Sequence, residues 1–345
     1  MKQKMIDYLL NHAGPSIVLR VKKEILNDIT EKEENRLQRR ILEEKNIKII
    51  TEKQQENGWI GHGFHGASKN AGQYDNQETA TKYMGEKGLK GTDVLNRAMD
   101  AFVNTELTDR CYETKGKYYS EFEIPAFGQN MIRCACIARA HYDDKIDITP
   151  QINVSLESFK RVTEVDSIYN VSRPIKNGRL FNEKERWPCR YHLEILAFTD
   201  SWKNDEDIAI LTEAFRRLMR TDRKEYIDLN IYCWIGHHVG PLWRFTEGYT
   251  LSTDQDEKHI VNMEKIEWLV RCGLYDYMPK LKEEVAYIFD NIGQDGVCRI
   301  AVNEKDFKGW SPYFGLQLEA DWKAKVCKAC DITFRALLIS HYIAQ

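Results

Sequence analysis

Apolar residues recur every three or four positions through most of the chain, which is the spacing of one buried helical face. Segments that combine this spacing with a charged opposite side are typical of surface helices, and they are found at 31–55, 92–102, 150–162, 205–218 and 279–289. Between them lie more uniformly apolar segments, which predict buried helices, at 79–86, 131–142, 188–198, 261–272 and 332–343. No alternating strand pattern extends beyond a few residues. The pattern therefore predicts an all-α chain in which buried and surface helices alternate.

Glycines in predicted turns punctuate these helices at intervals of 58, 62, 58 and 60 residues. They are Gly58, Gly116, Gly178, Gly236 and Gly296. The tetrapeptide Trp59-Ile60-Gly61-His62 recurs 175 residues downstream as Trp234-Ile235-Gly236-His237. Such a period suits one helix pair plus a loop. Together with N-terminal helices in 1–56, the repeats in 57–345 predict one domain of about six helix hairpins, either closed into a ring or open as a superhelix.

Composition excludes several classes of protein. The 345 residues carry a net charge of −3 with acidic and basic residues interleaved, so nothing indicates a nucleic acid or an anionic membrane as partner. No run of about 18 apolar residues predicts a transmembrane helix, and the first residues lack the apolar core of a signal peptide. Nine cysteines are scattered through apolar segments, which is typical of reduced thiols. We therefore expect a cytoplasmic protein.

The stretch Gln54-x-x-x-Gly58-Trp59 resembles the Gln-Trp repeat motif of squalene–hopene cyclases. The last unit, from Trp310-Ser311-Pro312-Tyr313 through 331–338, is similar to the final repeat of small, mostly uncharacterised bacterial toroid proteins. The resemblance covers most of the chain loosely. It implies the α/α toroid of terpenoid cyclases and protein prenyltransferase β subunits, a closed ring whose inner helices line a central cavity.

Two motifs of these families do not carry over. The Asp-x-Asp-Asp acid of the cyclases is missing, and Asp109-Arg110-Cys111 matches the prenyltransferase zinc motif in letters but follows a predicted outer helix. Whether the chain is an enzyme thus stays open. The first hypothesis is acid–base chemistry, of cyclase or isomerase type, on a small, largely apolar molecule in the central cavity. The alternative is a small-molecule binding protein without catalysis; a scaffold for protein partners is disfavoured by the charged outer helices.

The candidate catalytic residues lie near the starts of predicted inner helices. Cys189 and His192 are three apart and share a helix face, so they suit a thiolate–imidazole pair or two metal ligands. Arg190 between them could hold an anion. Asp331 precedes the last apolar segment; its simpler role is a helix cap, but a half-buried carboxyl at a cavity mouth can also act as an acid. The simpler interpretation of Cys189 and His192 is likewise structural.

The candidate binding residues lie in the predicted turns and loops. Two histidines, His62 and His65, alternate with glycines and suit metal binding or proton transfer, and His237 occupies the matching place in a later repeat. Aromatic rings that could line the cavity are Trp59, Trp310 and Tyr313. We predict no cofactor, with zinc as the alternative, because Cys327-x-x-Cys330 lacks a second cysteine pair. A ring would bring the catalytic and binding residues together at the inner-helix N-termini.

Overall fold

The computed structural model describes residues 1–61, 63–65, 74, 76–103, 128–183, 185–218, 230–235, 238–242, 251, 261–301 and 317–345. Helices dominate these ranges, as predicted. In chain order they are α1 (Lys2–His12), α2 (Pro15–Arg20) with a π-helical turn (Val21–Ile25), α3 (Glu31–Leu42), α4 (Lys45–Glu52), α5 (Gln77–Glu86), α6 (Asp93–Val103), α7 (Gln129–Arg139), α8 (Thr149–Glu164), α9 (Arg190–Ala197), α10 (Asp205–Leu218), α11 (Val261–Arg271), α12 (Pro279–Asp290) and α13 (Lys325–Ile343).

The helices divide into buried and amphipathic ones, which confirms the predicted alternation. Every residue of α5 and of α9 is buried, whereas α6, α8, α10 and α12 each bury one face. The longest helix, α13, is buried from Cys330 to Ile339. It still contains an Asp and an Arg, and nowhere in the described ranges is a helix both long and apolar enough to cross a bilayer.

We call α2, α5, α7, α9, α11 and α13 the inner helices, because each packs against other members of this set. Contacts join α5 to α7, α7 to α9, α9 to α11, α11 to α13, and α13 to α2. Between α2 and α5, Ser16 Oγ donates to the Lys87 carbonyl at 3.1 Å and Arg20 pairs with Glu86 at 2.7 Å. Amphipathic helices cover this set: α3 packs on α2, α6 on α5, α8 on α9, α12 on α11 and α1 on α13.

A small mixed sheet, which the sequence pattern did not indicate, interrupts the helices. Its strands, in spatial order, are β1 (Ser172–Ile175), β2 (Gly178–Phe181), β3 (Ile231–Ile235) and β4 (His238–Pro241). Two antiparallel hairpins meet through the parallel pair β2–β3. A Cβ on Gly178 would lie 2.0 Å from the Asn230 carbonyl oxygen, so the hairpin requires glycine there. Trp234 belongs to β3, so the prediction of a turn at this residue is wrong.

Two of the predicted turn glycines form the same turn at opposite ends of the chain. Gly58 and Gly296 have φ of +86° and +82°, and each donates its N–H to the carbonyl three residues before it, at 2.9 Å. An isolated β-bridge flanks each of them in matching positions, Gln54 with Ile60 and Ile292 with Cys298. Gly58 packs on the backbone of α6 and Gly296 on that of α1. The structure thus confirms the repeat for these two turns; Gly116 and Gly236 lie outside the described residues.

Candidate functional site

Charged side chains form a connected network between the inner helices. The carboxylates of this ion network are Glu24, Glu78, Glu86, Glu194, Glu264 and Glu267, and its cations are Arg20, Lys82, Arg139, Arg190, Arg271 and Arg335. All of them are buried except Glu24, whose side chain is 26% exposed. The two signs are equal in number, so the network can be neutral overall, which is the condition under which buried charges are tolerated.

Arg139, at the end of α7, holds the centre of the network. Its guanidinium donates to Glu86 at 3.0 Å, to Glu194 at 2.9 Å and to Glu264, so it contacts carboxylates from three other inner helices. Arg335 of α13 similarly joins Glu86 to Glu267, each at 3.0 Å. Such many-centred arginine contacts use the planar fork of donors that lysine lacks.

The ion network bears on the expectation of a largely apolar ligand. An apolar molecule placed among these paired ions would break their hydrogen bonds without replacing them. The signal was present in the sequence as single charges within otherwise apolar helices. On α5 they recur at four-residue spacing, as Glu78, Lys82 and Glu86.

The inner helices run in parallel, so the network has an N-terminal and a C-terminal end. Glu78 and Tyr191, at the starts of α5 and α9, share a 2.8 Å hydrogen bond. Glu86, at the end of α5, pairs with Arg20 and Arg139, at the ends of α2 and α7. The predicted site was to lie at the N-terminal end.

His65 meets Glu78 at the N-terminal end. Nδ1 of His65 and Oε2 of Glu78 are 2.5 Å apart, and the Glu78 side chain is fully buried whereas that of His65 is 24% exposed. The other carboxylate oxygen, Oε1, accepts hydrogen bonds from the Tyr191 hydroxyl at 2.8 Å and from Lys82 Nζ at 3.2 Å. A buried carboxylate therefore orients a partly exposed imidazole, the arrangement of a general-base dyad.

Electrostatics keep Glu78 ionised. Burial alone would raise the pKa of Glu78, but Lys82 and His65 outweigh it and lower that pKa to about 2. An ionised carboxylate only accepts hydrogen bonds, so the short contact requires the proton on Nδ1 of His65. The tautomer of His65 is thus set by Glu78.

Local backbone contacts fix His65 beside α5. The N–H groups of Gln77 and Glu78 donate to the carbonyls of Gly63 and Phe64, both at 3.0 Å. The side chain of Gln77 also accepts from the Ile60 N–H at 2.8 Å, which ties the preceding turn to the same helix. The dyad is thus held by two successive segments of the chain, although its two members are thirteen residues apart.

Comparison with known protein families, with curated proteins and with solved structures found no match to this chain. The functional argument therefore depends on the geometry of the residues themselves.

Cys189 and His192 form a helix cap instead of a reactive pair. The Cys189 N–H donates to Nδ1 of His192 at 2.9 Å, and the two residues make a reciprocal capping box at the start of α9. Both side chains are buried, at 1% and 0% exposure, and burial raises the pKa of the Cys189 thiol to about 12. A neutral buried thiol is a poor nucleophile, so this arrangement does not favour the predicted thiolate–imidazole pair.

Asp331 is not the cap of the last helix. Helix α13 begins six residues earlier, at Lys325, and Asp331 is 2% exposed. Its carboxyl accepts from the N–H groups of Leu318 at 2.8 Å and Glu319 at 3.1 Å, and from the Trp322 indole. Burial, and next the neighbouring Glu319, raises the pKa of Asp331 to about 7. Asp331 therefore links residues 318–322 to α13, and its predicted catalytic role stays a prediction.

Arg190 and Trp59 also have structural contacts. Arg190 donates to Glu264 at 3.0 Å and lies over the Trp268 ring at 4.9 Å, so it belongs to the ion network. Trp59 is 7% exposed and packs on Phe64 and Phe102 with ring centroids 6.2 Å apart in both cases. Neither contact excludes a ligand, but each accounts for the residue without one.

The remaining predicted binding residues, His62, His237, Trp310 and Tyr313, lie outside the described residues. Within the described ranges, no group of three or more His, Cys, Asp or Glu side chains could hold a metal ion. Cys327 and Cys330 are among the free thiols, and burial raises the pKa of both. Among the described residues, the structure brings His65 together with Glu78, a titratable partner that sequence reasoning had missed.

Proposed function

We propose that the chain is an α/α toroid of six hairpins. The support is the order of contacts among the inner helices, which returns from α13 through α2 to α5. In this arrangement the N-terminal helix α1 completes the last hairpin by covering α13. The matching turns agree with it, since Gly58 and Gly296 each follow one outer helix and pack on the next.

We further propose that the protein is an enzyme that transfers protons at the N-terminal end of this ring, with His65 as the general base. The observation that carries the proposal is the 2.5 Å contact between a partly exposed His65 and a fully buried Glu78. A carboxylate in this position fixes the tautomer of the imidazole and stabilises the imidazolium formed when it accepts a proton.

The substrate would be a small molecule whose reacting part is polar. Lys82 and Tyr191 surround Glu78, and Arg190 lies on the same helix as Tyr191, so a ligand reaching the dyad meets polar groups. The rings of Phe64 and Trp59 are buried and pack against each other, so we assign them a structural role beside the dyad. This modifies the expectation of a largely apolar substrate while keeping acid–base chemistry.

The test is proton exchange in deuterated water. The protein is incubated with a pooled set of small carbonyl and hydroxyl compounds, and mass spectrometry measures deuterium incorporated into each of them. We expect incorporation into at least one compound with the unmodified protein and none with His65→Gln. The matched control is His12→Gln, which changes an exposed histidine of α1. Incorporation that survives in His65→Gln would contradict the role of His65.

Binding without catalysis is the second candidate, and one observation favours it. Lys82 and Tyr191 both direct their polar atoms to Glu78, so within the described part of the site His65 is the one group placed to exchange a proton with a ligand. Native mass spectrometry that shows a co-purified small molecule, combined with no deuterium incorporation into that molecule, would favour this candidate.

A further inference from the structure

The C-terminal end of the inner helices gathers a second set of polar and aromatic groups, which the proposed chemistry does not use. They come from five separate segments and are Glu24, His141, Phe198, Arg271 and Tyr342. His141 and Phe198 have ring centroids 5.9 Å apart, and Arg271 lies over both the Phe198 ring, at 4.5 Å, and the Tyr342 ring, at 4.1 Å. Residues far apart in sequence thus form one cluster.

Two members of this cluster lie in uncommon backbone conformations. Glu24 lies in the π-helical turn Val21–Ile25, and such turns are rare and concentrate at functional sites. His141, directly after α7, has φ of +59°, whereas the matching positions after α5 and α11 are occupied by Gly88 and Gly273, with φ of +80° and +76°. All three make the same helix-ending hydrogen bonds. Histidine in this conformation costs about 1 kcal/mol relative to glycine, which points to a use for its side chain.

Arg271 has a hydrogen-bond donor to spare. Its Nε donates to Glu267 at 2.8 Å and its Nη1 to the Tyr342 hydroxyl at 2.7 Å. The remaining nitrogen, Nη2, is buried and has no acceptor among the described residues. A buried guanidinium N–H without an acceptor is costly, so the position calls for an oxygen atom from a bound molecule.

The cluster is open to solvent on one side. Arg20 and Arg271 are buried at 2% and 4% exposure, whereas Glu24, His141 and Tyr342 are only partly buried. Arg20 holds the Glu24 carboxylate through two parallel hydrogen bonds of 2.7 and 2.8 Å. The buried Arg20 and Arg271 therefore form the base of the cluster. We call the partly exposed Glu24, His141 and Tyr342 its rim.

We propose that this end of the ring is a second ligand site, which takes a small zwitterion of the amino-acid type. The carboxylate of the ligand would accept from Nη2 of Arg271, and its ammonium group would donate to Glu24 and to the carbonyl groups at the helix ends. Arg20 and Arg271 are already balanced by Glu24 and Glu267, so a ligand without net charge adds no unpaired charge. Helix C-termini favour the positive pole.

His141 would contribute a neutral hydrogen-bonding group. Burial lowers the pKa of His141 to about 4, against the opposing effect of Glu24. Burial would raise the pKa of Glu24, but Arg20, with smaller effects from His141 and Arg271, lowers it. At neutral pH the rim thus offers an ionised carboxylate beside a neutral imidazole, which suits the ammonium group of the ligand better than an imidazolium would.

The test is thermal unfolding of the full chain in the presence of each standard amino acid at about 10 mM, a concentration that reports millimolar dissociation constants. Acetate and methylammonium at the same ionic strength represent the two halves of the ligand. We expect at least one amino acid to raise the Tm and neither half to do so. His65→Gln should retain the shift, which separates this site from the proposed catalytic one.

Two variants decide whether the shift comes from this cluster. His141→Gly places in the turn the residue that α5 and α11 have, so it should fold, and it should lose the shift together with Glu24→Gln. The proposal is overturned if no amino acid raises the Tm, if acetate alone gives the same shift, or if His141→Gly and Glu24→Gln respond as the unmodified protein does.

Discussion

The two ends of the ion network each bring a histidine near a glutamate, but the glutamate has a different partner at each end. At the N-terminal end, Glu78 is fully buried and bonds directly to a partly exposed His65. At the C-terminal end, Glu24 and His141 are both partly exposed, Arg20 holds the Glu24 carboxylate, and desolvation lowers the pKa of His141. The same two residue types therefore offer a proton acceptor at one end and a neutral hydrogen-bonding surface at the other.

Neighbouring cations outweigh burial in setting the protonation of Glu78 and Glu24. Glu78 is hydrogen-bonded to an imidazole, which can gain or lose a proton. Glu24 pairs with a guanidinium, which stays protonated. Asp331 is a third case, because backbone and indole donors surround it without a cation and its pKa rises to about 7. Of the three carboxylates, only Glu78 is hydrogen-bonded to a partly exposed imidazole.

The largest expected loss of stability comes from replacing Arg139, the arginine at the centre of the ion network. Arg139→Met would leave Glu86, Glu194 and Glu264 buried with fewer cations. Breaking such a buried pair costs on the order of 3–5 kcal/mol in the free energy of unfolding, measurable by denaturant titration. The control, Arg299→Met, removes an exposed partner of Asp295 and should leave stability unchanged. Equal stability of the two variants would show that the network does not hold the inner helices.

A smaller effect should distinguish the two glutamates. Glu78→Gln leaves buried Lys82 with one carboxylate instead of two and should cost about 2–4 kcal/mol. Glu24→Gln changes a partly exposed side chain and should cost only about 1 kcal/mol. Denaturation of both variants in one buffer measures the difference. If Glu24→Gln proved the more damaging change, the greater dependence of the network on the fully buried Glu78 would be contradicted.

The pH dependence of stability should also separate the ends. The folded pKa of His141, about 4, lies below its unfolded value of 6.5, so between these values the unfolded chain binds more protons and stability rises with pH. Glu78, with a folded pKa of about 2, adds stability above pH 4.5 that is lost as pH falls towards 2. Asp331 acts in the opposite sense, since its raised pKa lets stability fall as pH rises from about 4 to 7.

The measurement is therefore a difference between variants across pH. His141→Gly should flatten the rise between pH 4 and 6.5, a change of about 1–3 kcal/mol, and leave the loss below pH 4.5 intact. Glu78→Gln should do the reverse. Identical pH profiles for His141→Gly and the unmodified protein would contradict the buried, neutral state of His141.

Much of the helical architecture was predictable because it depends on local periodicity. The three- and four-residue spacing of apolar residues predicted the amphipathic helices that cover the inner ones. Uniformly apolar segments predicted most of the inner helices. Gly58 and Gly296 were recognisable because a left-handed turn and a close backbone approach leave no room for a side chain. The strands were missed, because four-residue segments such as Gly178–Phe181 gain their partner from Ile231–Ile235, about fifty residues away.

The site was harder to predict, because its pairs are non-local. Glu86 finds its cations at Arg20, Arg139 and Arg335, which no spacing rule connects. His65 was a candidate from its glycine-flanked loop, but its partner Glu78 follows thirteen residues later on a buried helix. Cys189 and His192 were predicted to share a helix face, but Cys189 is the extended N-cap that precedes α9. Their burial depends on neighbours that the sequence does not identify.

The central claim is that Glu78 holds a proton on Nδ1 of His65, and nitrogen NMR of the histidine side chains tests it most directly. The account predicts that His65 carries its proton on Nδ1 near neutral pH, with the strong deshielding of a short hydrogen bond, and that Glu78→Gln shifts this signal while leaving His141 unchanged. A proton on Nε2 of neutral His65, or a His65 signal identical in Glu78→Gln, would contradict the dyad and with it the proposed base.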